Sequence, residues 1–317
     1  MTFNTKSYLP SGNISQSLQT TGSIGSARLA LGTVQFGLPY GVANTQGQVS
    51  YDQADAMLGE MRKVGIDTID TAIAYGEAET VLGRIGLSGF RLVSKVPAFR
   101  GPAISADDWV VAQVEASLER LRVPRLNGLM LHAPDDLLGP HGSGLARGLL
   151  RVKDTGLAER IGLSVYSPEQ LDALVDRLPL EIIQIPLNIF DRRFVETGWL
   201  DRLVSGDVEV HARSVFLQGL LLMPYDRIPS KFAPFRSLID GWYSWLAGDA
   251  AAGMSAVQAC LAHVASYSGI SRLVVGADSF PQLQGIIEAV SAVPLRAPES
   301  LASPGTPLIN PAQWNTL

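Results

Sequence analysis

Thr68-Ile-Asp70-Thr-Ala-Ile-Ala-Tyr75-Gly76 reads as a short strand running into a tight turn, with a carboxylate at the strand end and a phenol just beyond it. Two other apolar runs end in the same manner. Leu92-Val-Ser-Lys95-Val96 delivers an ammonium, and Leu129-Met-Leu-His132-Ala-Pro134 an imidazole. If these runs are neighbouring strands of one parallel barrel, their carboxyl ends share a rim, and Asp70, Tyr75, Lys95 and His132 converge on one pocket.

Working outward, short apolar runs alternate with helix-length amphipathic stretches from Arg28 onward, which predicts a parallel sheet covered by helices. Strands are predicted near Leu29 to Thr33, Thr68 to Asp70, Arg91 to Lys95, Leu126 to Leu131, Arg160 to Ser164, Ile182 to Ile185, Glu209 to Ser214 and Arg272 to Val275. The helical candidates are Tyr51 to Val64, Glu77 to Ile85, Ala106 to Leu121, Leu145 to Asp154, Pro168 to Leu178, Thr197 to Val204, Ser255 to Tyr267 and Phe280 to Val290. Ser50 before the first, Gly65 after it and Ser167-Pro168 before the fifth are the punctuation such helices need. Eight strand/helix units in 317 residues favour an α/β fold of the (β/α)8 TIM-barrel type, one domain spanning 28–317, over a doubly wound sheet. An open dinucleotide-binding sheet would want Gly-x-Gly-x-x-Gly after its first strand, and Leu31-Gly-Thr-Val-Gln-Phe-Gly37 does not supply it. The longest irregular stretch, Gln218 to about Pro234, follows the seventh strand and reads as a lid, a binding segment or a plain surface excursion.

Residues 1–27 are rich in Ser, Thr, Gly, Asn and Gln without the basic start and apolar core of a signal peptide, and read as a flexible arm. No run of about 18 apolar residues occurs, so no membrane span is expected and a cytoplasmic location is. A net charge of -5 with both signs scattered gives no basic patch for nucleic acid. The lone Cys260 reads as helix packing.

The four rim residues suit one chemistry. Reducing a carbonyl with a nicotinamide hydride requires a proton for the oxygen, and a phenol with a pKa of about 10 is a reluctant donor. An ammonium beside it favours the phenolate, and a carboxylate beyond holds that ammonium in place. Tyr75, Lys95 and Asp70 fit those parts, and a neutral His132 would orient the carbonyl oxygen.

Asp70-Thr-Ala-Ile-Ala-Tyr75-Gly76, Val93-Ser-Lys95-Val, Leu131-His132-Ala-Pro and Ile161-Gly-Leu-Ser164 resemble the aldo-keto reductase superfamily, in that family's order. The resemblance implies a catalytic tetrad of Asp70, Tyr75, Lys95 and His132 on a barrel that binds NADPH, or less often NADH. It also implies cofactor contacts from Gly32, Thr33, Ser164 and Gln184 at the nicotinamide end, and from Ser214, Leu217 and Gly219 at the pyrophosphate. Gly276, Ser279 and Gln282 match the adenosine-phosphate site. Three positions depart from the pattern. Val165 follows Ser164 where Asn is frequent; Arg213 replaces an aromatic, and its guanidinium plane can stack as the ring would; and Asp278 stands where a basic residue commonly grips a 2′-phosphate, which makes NADH a rival to NADPH. The segment Gly32 to Asn44 is similar to a branch associated with bacterial sugar and surface-polysaccharide metabolism, so sugar-derived carbonyls join the expected small-molecule substrates.

His211 reads as a core histidine, His141 as a loop residue and His263 as a packing or capping group. No His-x-His, His-Glu-x-x-His or paired-Cys motif points to a metal. Trp242 and Trp245 read either as a substrate wall or as the buried side of a helix. Two other functions stay open: a nicotinamide-binding regulatory barrel without significant turnover, and a lyase using Lys95 as a Schiff-base amine. A monomer is expected.

Overall fold

In a computed structural model of the protein, which describes residues 24–101 and 105–316, the apolar runs pair as eight parallel strands in sequential order, closed into a barrel. They are β1 (Leu29–Gly32), β2 (Thr68–Asp70), β3 (Arg91–Val96), β4 (Gly128–Leu131), β5 (Ile161–Ser164), β6 (Ile182–Pro186), β7 (Glu209–Arg213) and β8 (Arg272–Gly276). The closing pair, β1 with β8, sets Gly32 opposite Gly276, while β1 with β2 sets Gly32 opposite Asp70.

The outer layer contains α1 (Tyr51–Val64), α2 (Ala78–Ile85), α3 (Ala106–Leu121), α4 (Gly142–Asp154), α5 (Pro168–Leu174), α6 (Arg193–Glu196), α7 (Trp199–Ser205), α8 (Arg236–Leu246), α9 (Ala256–Ala265) and α10 (Phe280–Ala289). Capping follows the sequence: Ser50 accepts from the Gln53 N–H, and Gly65 ends α1 in the left-handed region at φ 75°. The helix α8 was not among the candidates. It follows directly on a proline-rich stretch and contains Gly241, and burial of Ile239 and Trp242 holds it on the barrel, as the helix reading of Trp242 and Trp245 expects. Trp242 donates its indole N–H to the Leu221 carbonyl at 3.2 Å, so this tryptophan serves helix packing. The irregular stretch before α8 contains the 3-10 turns Leu220–Leu222, Tyr225–Arg227 and Ser230–Phe235.

Of the expected arm, residues 1–23 lie outside the described residues. Ile24 is buried and its N–H donates to the Ala292 carbonyl, while the Ser26 hydroxyl donates to the Val64 carbonyl at 2.7 Å. No described helix is long and apolar enough to cross a membrane. Cys260 and His263 are buried in α9, and burial pushes the thiol up and the imidazole down to about 3.

Strand alternation decides what faces the barrel interior. Val93 and Lys95 lie two residues apart on one face of β3, and Val93 packs with Met130 and Ile182. Ser94 faces the other way, donating to the buried Glu79 of α2 at 2.9 Å. Glu79 also accepts from Ser117 at 2.6 Å and from two Arg120 nitrogens at 2.9 and 2.7 Å, tying α2, β3 and α3 together beside the rim.

Candidate active site

Because all eight strands run the same way, Asp70, His132, Ser164 and Arg213 stand at or just past their carboxyl ends, Lys95 one residue before the end of β3, and Gln184 midway along β6. Lys95 Nζ lies 2.6 Å from Asp70 Oδ1 and donates to the Thr71 carbonyl at 3.0 Å. Its side chain is 1% exposed and that of Asp70 is 4% exposed. The second carboxylate oxygen, Oδ2, accepts from Gln184 Nε2 at 2.8 Å. Lys95 Nζ also stands 5.5 Å from the Tyr75 ring centroid, and Tyr75 meets His132 edge-to-face at 5.7 Å. The four expected residues are therefore together on one rim.

Tyr75 is seated by two glycines. A Cβ on Gly37 would fall 1.8 Å from the Tyr75 carbonyl oxygen, and one on Gly76 would fall 2.5 Å from the Gly37 carbonyl oxygen. Gly37 has an ordinary φ of -123°, so its requirement is for space alone. Gly37→Ala is thus expected to displace the Tyr75 turn, lowering turnover by at least about tenfold and stability by about 1–3 kcal/mol; activity and urea midpoint close to wild type would contradict this seating.

The electrostatics differ in one respect from the expectation drawn from residue types. Burial, then the Asp70 charge, raises the Tyr75 phenol well above its ordinary value, while Arg213 opposes that rise. The Lys95 charge is answered by Asp70, at 2.6 Å. Burial also lowers Lys95, against the pull of Asp70. His132 is lowered to about 4, by burial first and then by Lys95, so its imidazole is neutral near pH 7. No described residue hydrogen-bonds the Tyr75 hydroxyl or the His132 ring nitrogens, and none of these atoms is sealed from solvent. Both groups stand free beside the paired Lys95 and Asp70.

A folded-state histidine pKa below the unfolded value of about 6.5 means that the unfolded chain takes up the proton first. The associated stability is whole above about pH 6.5 and is lost as pH falls toward 4, with His263 acting in the same direction. The urea midpoint is expected to fall between pH 6.5 and 5, and His132→Gln to flatten part of that slope; an identical slope in the variant would contradict the burial assigned to His132.

The residues expected at the cofactor are placed unevenly. Thr33 gives both its N–H and its hydroxyl to the Asp70 carbonyl, each at 3.0 Å, and so holds the end of β2. Ser164 donates to Gln184 Oε1 at 3.5 Å, while Gln184 turns its amide nitrogen to Asp70. Arg213 lies 4.2 Å from the Tyr166 ring centroid and donates to the Val165 carbonyl and Ser214 Oγ at 3.0 and 3.1 Å. Ser214, Leu217 and Gly219 all adopt positive φ (60°, 48° and 86°) in the turn after β7. Ser279 caps α10 by accepting from the Gln282 N–H at 3.4 Å, and Gln282 Oε1 accepts from the Asp278 N–H at 2.8 Å. A Cβ on Gly276 would meet Gln35 Nε2 at 2.5 Å.

Tyr166, Gln35, Tyr40 and Asn44 were not singled out from the sequence. Tyr166 sits two residues past Ser164, where the rim rule for barrels would have flagged it. Tyr40 accepts from Gln218 Nε2 at 2.9 Å and Asn44 donates to Asp278 Oδ1 at 3.4 Å, contacts across the chain that no local pattern signals. Beside His132 opens a cleft of about 580 Å3, walled by Trp109 and Tyr166.

This barrel, with its rim, belongs to the aldo/keto reductase family, whose family model matches residues 28–300. Membership supports an oxidoreductase acting on small-molecule carbonyls. Among its relatives, the probable voltage-gated potassium channel subunit beta of Arabidopsis thaliana is 28% identical over 308 residues, 87% of this chain and 92% of that protein. Aldo-keto reductase YhdN of Bacillus subtilis is 30% identical over 197 residues, 57% of this chain and 56% of the relative. The holo form of aldo-keto reductase AKR11C1 from Bacillus halodurans superposes with a TM-score of 0.69 at 20% identity, covering 88% of this chain and 93% of that one. The Gluconobacter oxydans glycerol dehydrogenase AKR11B4 gives 0.63 at 23% identity, covering 86% and 88%. These two likenesses are of fold.

Proposed function

We propose that the protein reduces aldehydes or ketones, sugar-derived carbonyls among them, with Tyr75 as the proton donor and His132 orienting the carbonyl oxygen. The observation that carries this reading is the pair of free groups, the Tyr75 hydroxyl and the His132 imidazole, beside a buried Lys95–Asp70 pair 2.6 Å apart. A nicotinamide dinucleotide, when bound, supplies the hydride. The residues present suit such a group: hydroxyl, amide and guanidinium donors at Ser164, Gln184 and Arg213, and, packed against Gly276 where a Cβ would collide with it, the Gln35 amide, whose Oε1 is buried without a partner among the described residues. Lys95 and Asp70 hold the phenol in place and keep the site's charge balanced. The neutral His132 donates to the oxygen as negative charge builds there, and Tyr75 then releases its proton to that oxygen.

NADH is the favoured form. Asp278 is half-buried, takes part in no ion pair among the described residues, and burial raises its carboxyl. A phosphate beside it would face repulsion with no counter-charge. Fluorescence titration is expected to give NADH at least about tenfold tighter binding than NADPH, and Asp278→Ala to narrow that gap. A preference for NADPH that the variant leaves unchanged would contradict this.

The likeness to plant channel β subunits favours a second reading, a nicotinamide-binding regulatory barrel. Absorbance loss at 340 nm with a panel of aldehydes separates the two: cofactor binding without turnover supports the regulatory reading. A Schiff-base role for Lys95 is opposed by its ion pair, since the nucleophile must be a free amine.

A further inference from the structure

We infer that the cleft beside His132 accepts carbonyl substrates that carry an anionic group, a carboxylate or a phosphate, with Arg100 as its counter-charge. This rests on the reductase reading of the rim. Arg100 lines the same cleft as His132, Trp109 and Tyr166, is exposed, and has no hydrogen bond, ion pair or ring contact among the described residues. Among the described residues, no carboxylate lines the cleft.

Of the nearby acids, Asp70 and Asp107 are held by cations, Lys95 at 2.6 Å and Arg147 at 3.7 Å, Asp136 by the Phe99 backbone N–H at 2.8 Å, and Glu77 and Asp135 are exposed outside the cleft lining. From Gly101 to Ala106 the sequence contains no acidic residue. A second cation stands behind the wall. Arg213 stacks on Tyr166 and, among the described residues, bonds a carbonyl and a hydroxyl but no carboxylate, and its charge acts on Tyr75, Lys95 and His132. The cleft therefore has one cation, Arg100, in its lining and a second, Arg213, behind Tyr166. A substrate whose carbonyl oxygen reaches Tyr75 and His132 while its anion reaches Arg100 matches that distribution.

The test compares 4-formylbenzoate with its neutral isostere 4-formylbenzamide, and adds 4-formylphenyl phosphate as the phosphate arm. With cofactor present, kcat/KM for at least one of the anions is expected to exceed that of the amide by about tenfold or more and to fall with added salt. Preference for one anion alone would identify which of the two the cleft takes. Arg100→Gln is expected to bring the ratio near one, and Arg100→Glu to invert it. Isothermal titration of the same aldehydes reads the ratio without turnover. If none is reduced but anion-selective binding disappears in Arg100→Gln, the reductase reading falls and the anion site stands. Equal binding and equal kcat/KM for anion and amide, or a preference that survives Arg100→Gln, would overturn the proposal.

Discussion

Tyr75→Phe is expected to lower turnover by about 10²–10⁴-fold while leaving cofactor affinity within about twofold of wild type. The substitution removes one oxygen that no described residue hydrogen-bonds, so no buried partner is orphaned and the seat of the ring against Gly37 is kept. The edge contact with His132, at 5.7 Å, involves the ring and survives. A large fall in kcat with an unchanged urea midpoint would therefore report loss of the proton donor alone. Turnover within a factor of about three of wild type would remove Tyr75 from that role.

Lys95→Met has the second large expected effect, and it is on stability as well as activity. Removing one partner of a buried ion pair strands the other charge, here the carboxylate of Asp70, at a cost of about 3–5 kcal/mol. Asp70 would retain the Gln184 amide at 2.8 Å as a donor, which moderates the loss without balancing the charge. Lys95→Met/Asp70→Asn is therefore expected to be more stable than Lys95→Met, and both to be inactive. Denaturant titration of the four corners of this cycle reads the coupling directly. A single variant within about 1 kcal/mol of wild type would contradict the buried pair.

The barrel was legible because its strands are short, apolar and regularly spaced, and because parallel strands leave their functional ends on one rim. Asp70, Lys95 and His132 could be placed from that rule, and Tyr75 from the turn that follows Asp70. What the sequence did not reveal depends on contacts across the barrel. The stack of Arg213 on Tyr166 joins the ends of β7 and β5 across β6, and the Gln184 bond to Asp70 spans 114 positions. Arg213 was expected to offer its plane to the nicotinamide; in the structure that plane already has an aromatic partner in the chain itself. The direction of the Tyr75 shift escaped for a similar reason, since residue types alone do not tell which neighbour takes up the lysine charge. The helix α8 was left among the alternatives for Trp242 and Trp245, because it follows directly on a proline-rich irregular stretch, and burial of Trp242 decides it.

The most direct test of direct hydride transfer at this rim uses NADH deuterated at both C4 positions, an aldehyde substrate and mass spectrometry of the alcohol. One deuterium bound to the carbinol carbon in the wild type, with no alcohol formed by Tyr75→Phe on the same timescale, is the predicted result. Alcohol without deuterium, or no alcohol from a protein saturated with cofactor, would contradict the account.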